Sequence, residues 1–262
     1  MLPYIRIVCR QVPVYGLCMM LGAALGWALC RLRAARPPSA LLPGTVDRCF
    51  LWIGGWALVG AKMYSLVLVW HSLVADLSLL AQNPTLFLQK YLYGGMVFYG
   101  GLLGALGAAG WLLFRRKITF SLLERIFLPA LPLIHALGRV GCFCAGCCYG
   151  KVTDSPWGVR YPPGGLAPAG VPLLPVQLWE AGGNLVLLGL LLLPVYRRTG
   201  QRMSAYLIGY GILRFSLEFF RGDPARGLAG PLSSAQWISL GCLMAGCALL
   251  WYAHTPRASL IP

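Results

Sequence analysis

Runs of about twenty mostly apolar residues recur along this chain, and they restrict its fold more than any other feature. A stretch of that length crosses the ~30 Å hydrocarbon core of a bilayer as one helix, which satisfies every backbone N–H and C=O within the segment. Seven such stretches are read, at 12–30, 50–70, 93–114, 119–137, 176–196, 203–220 and 232–252. The expected architecture is all-α: a polytopic membrane protein of about seven transmembrane helices, with residues 1–262 as a single integral-membrane domain. Glu124, Arg125, Pro129 and Pro132 interrupt the fourth stretch, and the sixth carries Arg214 and Glu218. Basic residues, not a small-residue cleavage site, follow Val12–Leu29, so this stretch reads as a retained helix and not a signal peptide.

Charge then gives sidedness. Only 11% of residues are charged and 58% are hydrophobic, whereas a soluble domain carries about 25% charged residues. The net charge of +15 does not mark a nucleic-acid partner, because Lys and Arg fall in short clusters between apolar runs. Arg31, Arg33, Arg36 and Arg48 follow the first stretch, Arg115, Arg116 and Lys117 the third, and Arg197, Arg198 and Arg202 the fifth. Seven spans put all three clusters on the cytoplasmic side, with the amino terminus outside and the carboxyl terminus cytoplasmic. Arg6 and Arg10 fall on the outer side.

Two constellations stand out. The block Gly138–Gly150, "GRVGCFCAGCCYG", follows the fourth stretch. A guanidinium near membrane depth costs roughly 2.5–3.5 kcal/mol, so Arg139 calls for an anion. Gly138, Gly141, Gly146 and Gly150 are expected to leave backbone N–H groups free for it. In "RFSLEFFRGD", Arg214, Glu218 and Arg221 share a helix face, and one carboxylate between two guanidiniums leaves excess positive charge. Either this is a structural ion-pair network, or Glu218 orients Arg214 toward a phosphate. Gln177 and Glu180 open the fifth stretch behind Pro175.

Other features stay open. Cys142, Cys144, Cys147 and Cys148 form C-x-C-x-x-C-C, compatible with a metal site, a disulfide or free thiols. No metal or cofactor is called for. The glycines of "YGGMVFYGGLLG" (Gly94, Gly95, Gly100, Gly101, Gly104, with Gly107 beyond) fit close helix packing or backbone opened to a ligand. His71, His135 and His254 form no triad pattern.

These residues resemble the prolipoprotein diacylglyceryl transferase family over nearly the whole chain. The likeness is carried in order by "VYGL" at Tyr15-Gly16, "VGAKMY" near Lys62, "GGMVFYGGLLG", "GRVGCFCAGCCYG", "PVQLWEA" and "RFSLEFFRGD". The resemblance implies a seven-helix enzyme of the bacterial inner membrane. Such an enzyme moves diacylglyceryl from phosphatidylglycerol to the lipobox cysteine of a preprolipoprotein signal peptide and releases glycerol 1-phosphate. It implies that Arg139 and Arg214 bind phosphate, that Glu218 and Arg221 support them, and that Tyr15 lines the cavity. Gly141, Cys142, Gly150 and Gln177 join them as substrate-binding candidates. Tyr99 takes the place of a family histidine and is the third catalytic candidate beside Arg139 and Arg214, although a phenol with a pKa near 10 is a poor base at neutral pH. Cys142, Ala145 and Cys147 stand where the family has Asn, Asn and Glu. Two alternatives remain: a paralogue with altered lipid or thiol chemistry at Cys142–Cys148, and a non-catalytic lipid-binding membrane protein.

Overall fold

The structure, a computed structural model, describes residues 4–7, 10–36, 41–92, 95–163, 166–223 and 228–255. Seven principal helices follow the apolar stretches in order. They are α1 (Val14–Ala34), α2 (Pro43–Leu68), α3 (Phe98–Phe114), α4 (Ala130–Ala145), α5 (Val176–Leu192), α6 (Gln201–Glu218) and α7 (Ser234–His254). Four helical runs are long and apolar enough to cross a membrane: α1, α2, Phe120–Ala145 and α7. Helices α3 and α5 are apolar but shorter. Large apolar side chains such as Leu51, Phe114, Met244 and Trp251 face outward, while Glu124, Gln177, Glu180, Asn184 and Glu218 are buried. A chain solvated by lipid has this distribution. The chain is a mostly helical, multi-pass membrane protein.

Two compact units emerge, Met1–Ala40 with Phe120–Pro262, and Leu41–Thr119. In the second unit α2 packs on α3. A Cβ on Gly60, Gly100 or Gly104 would strike the backbone of the facing helix, so these glycines are packing contacts. Nothing lies within 4 Å of such an atom on Gly107. Gly95 adopts a φ of +71° just before α3, and Gly94 lies outside the described residues. Three short helices, Trp70–Ala75, Leu77–Gln82 and Pro84–Tyr91, connect α2 to α3.

In the first unit α4 packs between α1 and α5, and α6 between α5 and α7. The expected interruptions of the fourth stretch turn out to be compatible with helix. Pro129 precedes α4 and Pro132 sits in its first turn, where a missing N–H costs nothing. A π-turn, Leu123–Phe127, leads in and carries Glu124. Both Glu124 carboxylate oxygens accept from the Gly200 N–H at 3.0 Å, and Oε2 also accepts from Met203 at 3.3 Å. Glu124 thereby caps the positive end of α6. Arginines satisfy carbonyls at this same end: Arg33 donates to the Arg125 carbonyl (3.1 Å), Arg202 to Leu191 (3.3 Å) and Arg198 to Ala253 (3.4 Å). Helix α7 starts on a capping box, with Ser233 Oγ accepting from Gln236 N–H and Gln236 Oε1 from Ser233 N–H.

The end of the fourth stretch differs from expectation by about two turns. The fourth helical run continues to Ala145 and does not end at 137, so Arg139, Cys142 and Cys144 are helical. Gly138 and Gly141 do not break the helix, because each faces α1: an added Cβ would lie 3.1 Å from Met19 Sδ and 3.0 Å from the Tyr15 ring, respectively. Gly146, at φ +72°, ends it. Beyond it the connection to α5 folds into a short hairpin, Val159–Arg160 with Pro172–Leu173, over a small core of Tyr161, Ala167 and Leu173. Two further hairpins pair Tyr4–Ile7 with Arg10–Pro13 and Leu228–Ala229 with Leu232–Ser233.

Candidate active site

Residues at the end of the first unit opposite to Glu124 form a buried polar cluster. Helix α4 turns Arg139 toward α5, where its Nε lies 3.1 Å from Glu180 Oε2 and donates to His135 Nε2 at 3.3 Å. Glu180 is 2% exposed, and Asn184 Nδ2 donates to its backbone carbonyl at 2.8 Å. Among the described residues no hydrogen bond reaches Arg139 Nη1 or Nη2. On α6, Arg214 Nη2 pairs with Glu218 Oε2 at 2.8 Å, the i,i+4 contact read from sequence. Arg214 Nη1 is buried with no hydrogen-bond partner among the described residues. An unmade hydrogen bond of this kind costs about 1–3 kcal/mol.

The two arginines lie at one level. The rings of His135 on α4 and Tyr210 on α6 are 5.3 Å apart, and Arg139 and Arg214 each follow one turn later. The ends of both helices also meet, since Gly150 bridges Arg221, Lys151 N–H donates to Phe220 O at 2.8 Å and Gly222 N–H to Tyr149 O at 3.1 Å. Only glycine fits this crossing. A Cβ on Gly222 would sit 2.6 Å from Gly150 O, and one on Gly150 2.6 Å from Leu174.

Two expectations are corrected here. The expected excess positive charge is offset among the described residues, because Arg221, 4.0 Å from Glu218, also makes a two-pronged pair with Asp223 at 2.8 and 2.7 Å. With Glu180 beside Arg139, three guanidiniums face three carboxylates. The glycine N–H groups of the block are also committed. Gly138 and Gly141 bond within α4, Gly146 N–H donates to Phe143 O at 3.2 Å and Gly150 N–H to Leu174 O at 3.0 Å. The glycine N–H groups of this block are therefore not available to an anion.

The cysteines divide. The Sγ atoms of Cys142, Cys147 and Cys148 all lie within 4.8 Å of one another, and Cys144 is not in the group. Cys147 N–H donates to the Cys142 carbonyl at 3.1 Å and its thiol to the same oxygen at 3.6 Å. Cys148 has a φ of 56°, a left-handed conformation that costs a side-chain-bearing residue roughly 1–2 kcal/mol. The neighbouring Cys142 and Cys147 thiols, with Arg139 and Arg221 nearby, hold the Cys148 thiol well below its ordinary range against the effect of burial. Every described cysteine is a free thiol. Gln177 anchors the turn, its Nε2 donating to the Cys147 carbonyl at 2.7 Å and to Tyr161 Oη at 3.0 Å. Tyr15, at the start of α1, packs on Gly141 with 42% of its surface exposed.

Comparison with known proteins settles the family. A family model described as prolipoprotein diacylglyceryl transferase matches residues 4–252. The chain belongs to the prolipoprotein diacylglyceryl transferase family. It is 38% identical over 197 residues to the phosphatidylglycerol–prolipoprotein diacylglyceryl transferase 2 of Clostridium perfringens, covering 73% of this chain and 72% of that protein. It is 35% identical to the phosphatidylglycerol–prolipoprotein diacylglyceryl transferase of Geobacter sulfurreducens over 240 residues, 90% of this chain and 88% of the relative. The transferase of the same description from Polynucleobacter necessarius is 35% identical over 255 residues, 94% and 93% of the two chains.

Of the family-derived candidates, Tyr15, Arg139, Gly141, Cys142, Gly150, Gln177, Arg214, Glu218 and Arg221 all fall in the first unit. Tyr99 belongs to the second, on the first turn of α3 against Phe98 (ring centroids 5.9 Å apart). Sequence reading missed three members of the cluster. Glu180 was read only as a polar residue opening a helix, and its pairing with Arg139 depends on α4 meeting α5. His135 fits no triad pattern, and the signal that marks it in the sequence is its place one turn before Arg139. Asp223 closes on Arg221 across a two-residue turn.

Proposed function

We propose that this chain moves a diacylglyceryl group from phosphatidylglycerol to a cysteine thiol of a prolipoprotein. Membership of the family supports the activity, and one observation supports the site: two arginines at one level each keep nitrogens without a hydrogen-bond partner among the described residues, while a buried carboxylate fixes the rest of the guanidinium. Arg139 and Arg214 bind the lipid phosphate, with Glu180 and Glu218 holding them in place. The acceptor thiol loses its proton to water, and its sulfur attacks the diacylglycerol carbon next to the phosphate. A C–S bond forms, the C–O bond breaks with its electron pair on the phosphate oxygen, and glycerol 1-phosphate leaves. The guanidiniums stabilise the charge that grows on that oxygen, a contribution worth about 10²–10³ in rate for one such donor elsewhere. Tyr15, Gly141, Cys142, Gly150 and Gln177 shape the head-group end, and Arg221 with Asp223 closes it. Tyr99 remains a catalytic candidate by position.

The acceptor is the lipobox cysteine of a preprolipoprotein in a bacterial inner membrane. The helix ends bearing Arg33, Arg198 and Arg202 face the cytoplasm and the Arg139 end faces outward, an orientation supported by the arginine clusters. Expression in a strain depleted of its own transferase tests the reading. Wild-type protein restores growth, and Arg139→Ala and Arg214→Ala do not despite normal membrane insertion. Failure of inserted wild-type protein to restore growth contradicts the proposal.

A further inference from the structure

The transfer reaction needs its acceptor sulfur as a thiolate, and the Arg139 end offers few groups to take the proton. His135 already accepts from Arg139 Nε and, among the described residues, is the only histidine there. Three thiols cluster at this same end. Cys142 follows Arg139 by three residues on α4, hence on the neighbouring helix face. The left-handed turn at Gly146 and the left-handed Cys148 fold two vicinal thiols back onto it. The three Sγ atoms, within 4.8 Å of one another, come from a helix end and a turn pinned by the Gly150–Arg221 crossing and the Gln177–Cys147 hydrogen bond. Zinc–sulfur bonds of ~2.3 Å at tetrahedral angles set sulfurs about 3.8 Å apart, so small side-chain rotations close the set around one ion. Cys147 and Cys148 are partly exposed, which leaves access for a fourth ligand.

We propose that Cys142, Cys147 and Cys148 bind one zinc ion whose fourth position takes the acceptor cysteine sulfur. Three protein ligands with an open position are the pattern of a reactive zinc site. A thiol that coordinates zinc loses its proton. The acceptor S–H proton passes to water as the sulfur binds. The zinc-held sulfur then forms the C–S bond, and glycerol 1-phosphate leaves with the C–O electron pair on its phosphate, beside Arg139. No redox step is involved. This inference rests on the transferase reading.

Metal analysis of the purified full-length protein in detergent tests it first. Wild type and Cys144→Ser should each hold about one zinc per chain, and Cys142→Ser and Cys148→Ser less than about a tenth of that. Wild-type protein without stoichiometric zinc after purification in zinc-supplemented buffer overturns the site. With cobalt replacing zinc, the visible spectrum should show tetrahedral thiolate coordination. It should shift on adding a lipobox peptide and stay unchanged with the Cys→Ser peptide. A spectrum indifferent to the thiol peptide overturns the acceptor role, as does full transfer activity in Cys148→Ser. Zinc and thiol binding without any lipid transfer fails the transferase reading alone, so the two failures are distinguishable.

Discussion

The Arg139 end of the first unit and the α2–α3 pair of the second hold helices together by opposite means. Between α4 and α5, buried Glu180 pairs with Arg139 at 3.1 Å, while Glu218 pairs with Arg214 within α6 and Asp223 with Arg221 in the turn that follows. Between α2 and α3, glycines bring the backbones together, with Gly60, Gly100 and Gly104 leaving no room for a methyl group. In lipid no hydrophobic force separates helices from solvent, so close packing and polar contacts are the available adhesives. Packing alone serves where only architecture is needed. Buried charge appears at the proposed phosphate site, and it comes with its own counter-charges. Glycine enrichment near "YGGMVFYGGLLG" is thus explained without a ligand at Gly100 and Gly104, and arginine at Arg139 and Arg214 is not explained by packing.

That contrast can be broken at either region. Gly104→Leu should have the largest effect: the α2–α3 pair cannot close, and little monodisperse protein should survive detergent extraction. Recovery of wild-type amounts would show that the glycines are not packing contacts. Glu180→Ala leaves Arg139 buried without its counter-charge and should cost about 3–5 kcal/mol, read as a fall in thermal midpoint. Arg214→Lys keeps the charge but loses the fork, so transfer should drop roughly 10²-fold, about 2.7 kcal/mol in barrier, with the thermal midpoint unchanged. A parallel loss of stability would return Arg214 to a structural role. Gly107→Ala should be the mildest, neutral or stabilising by up to about 1 kcal/mol, because that position meets nothing.

Local signals were legible in the sequence, and contacts between helices were not. Apolar length located every principal helix, and i,i+4 spacing gave Arg214–Glu218. The fourth stretch ends at 137 by apolar length, whereas the helix runs on to Ala145 with Gly138 and Gly141 as spacers against α1. Glu124 read as a defect because its partners at Gly200 and Met203 lie more than seventy residues away. The division of the cysteines into a trio and an outlier depends on the turn at Gly146 and the backbone of Cys148, which spacing alone does not encode.

The central claim is that Arg139 holds the phosphate that leaves during transfer. Its most direct test uses purified protein, phosphatidylglycerol labelled in its acyl chains and a synthetic lipobox peptide, with labelled peptide and glycerol 1-phosphate measured together. Wild-type protein should form the two products in equal amounts, and Arg139→Gln should slow both by at least about 10²-fold while staying folded. Undiminished transfer by Arg139→Gln, or labelled peptide formed without glycerol 1-phosphate, would contradict it.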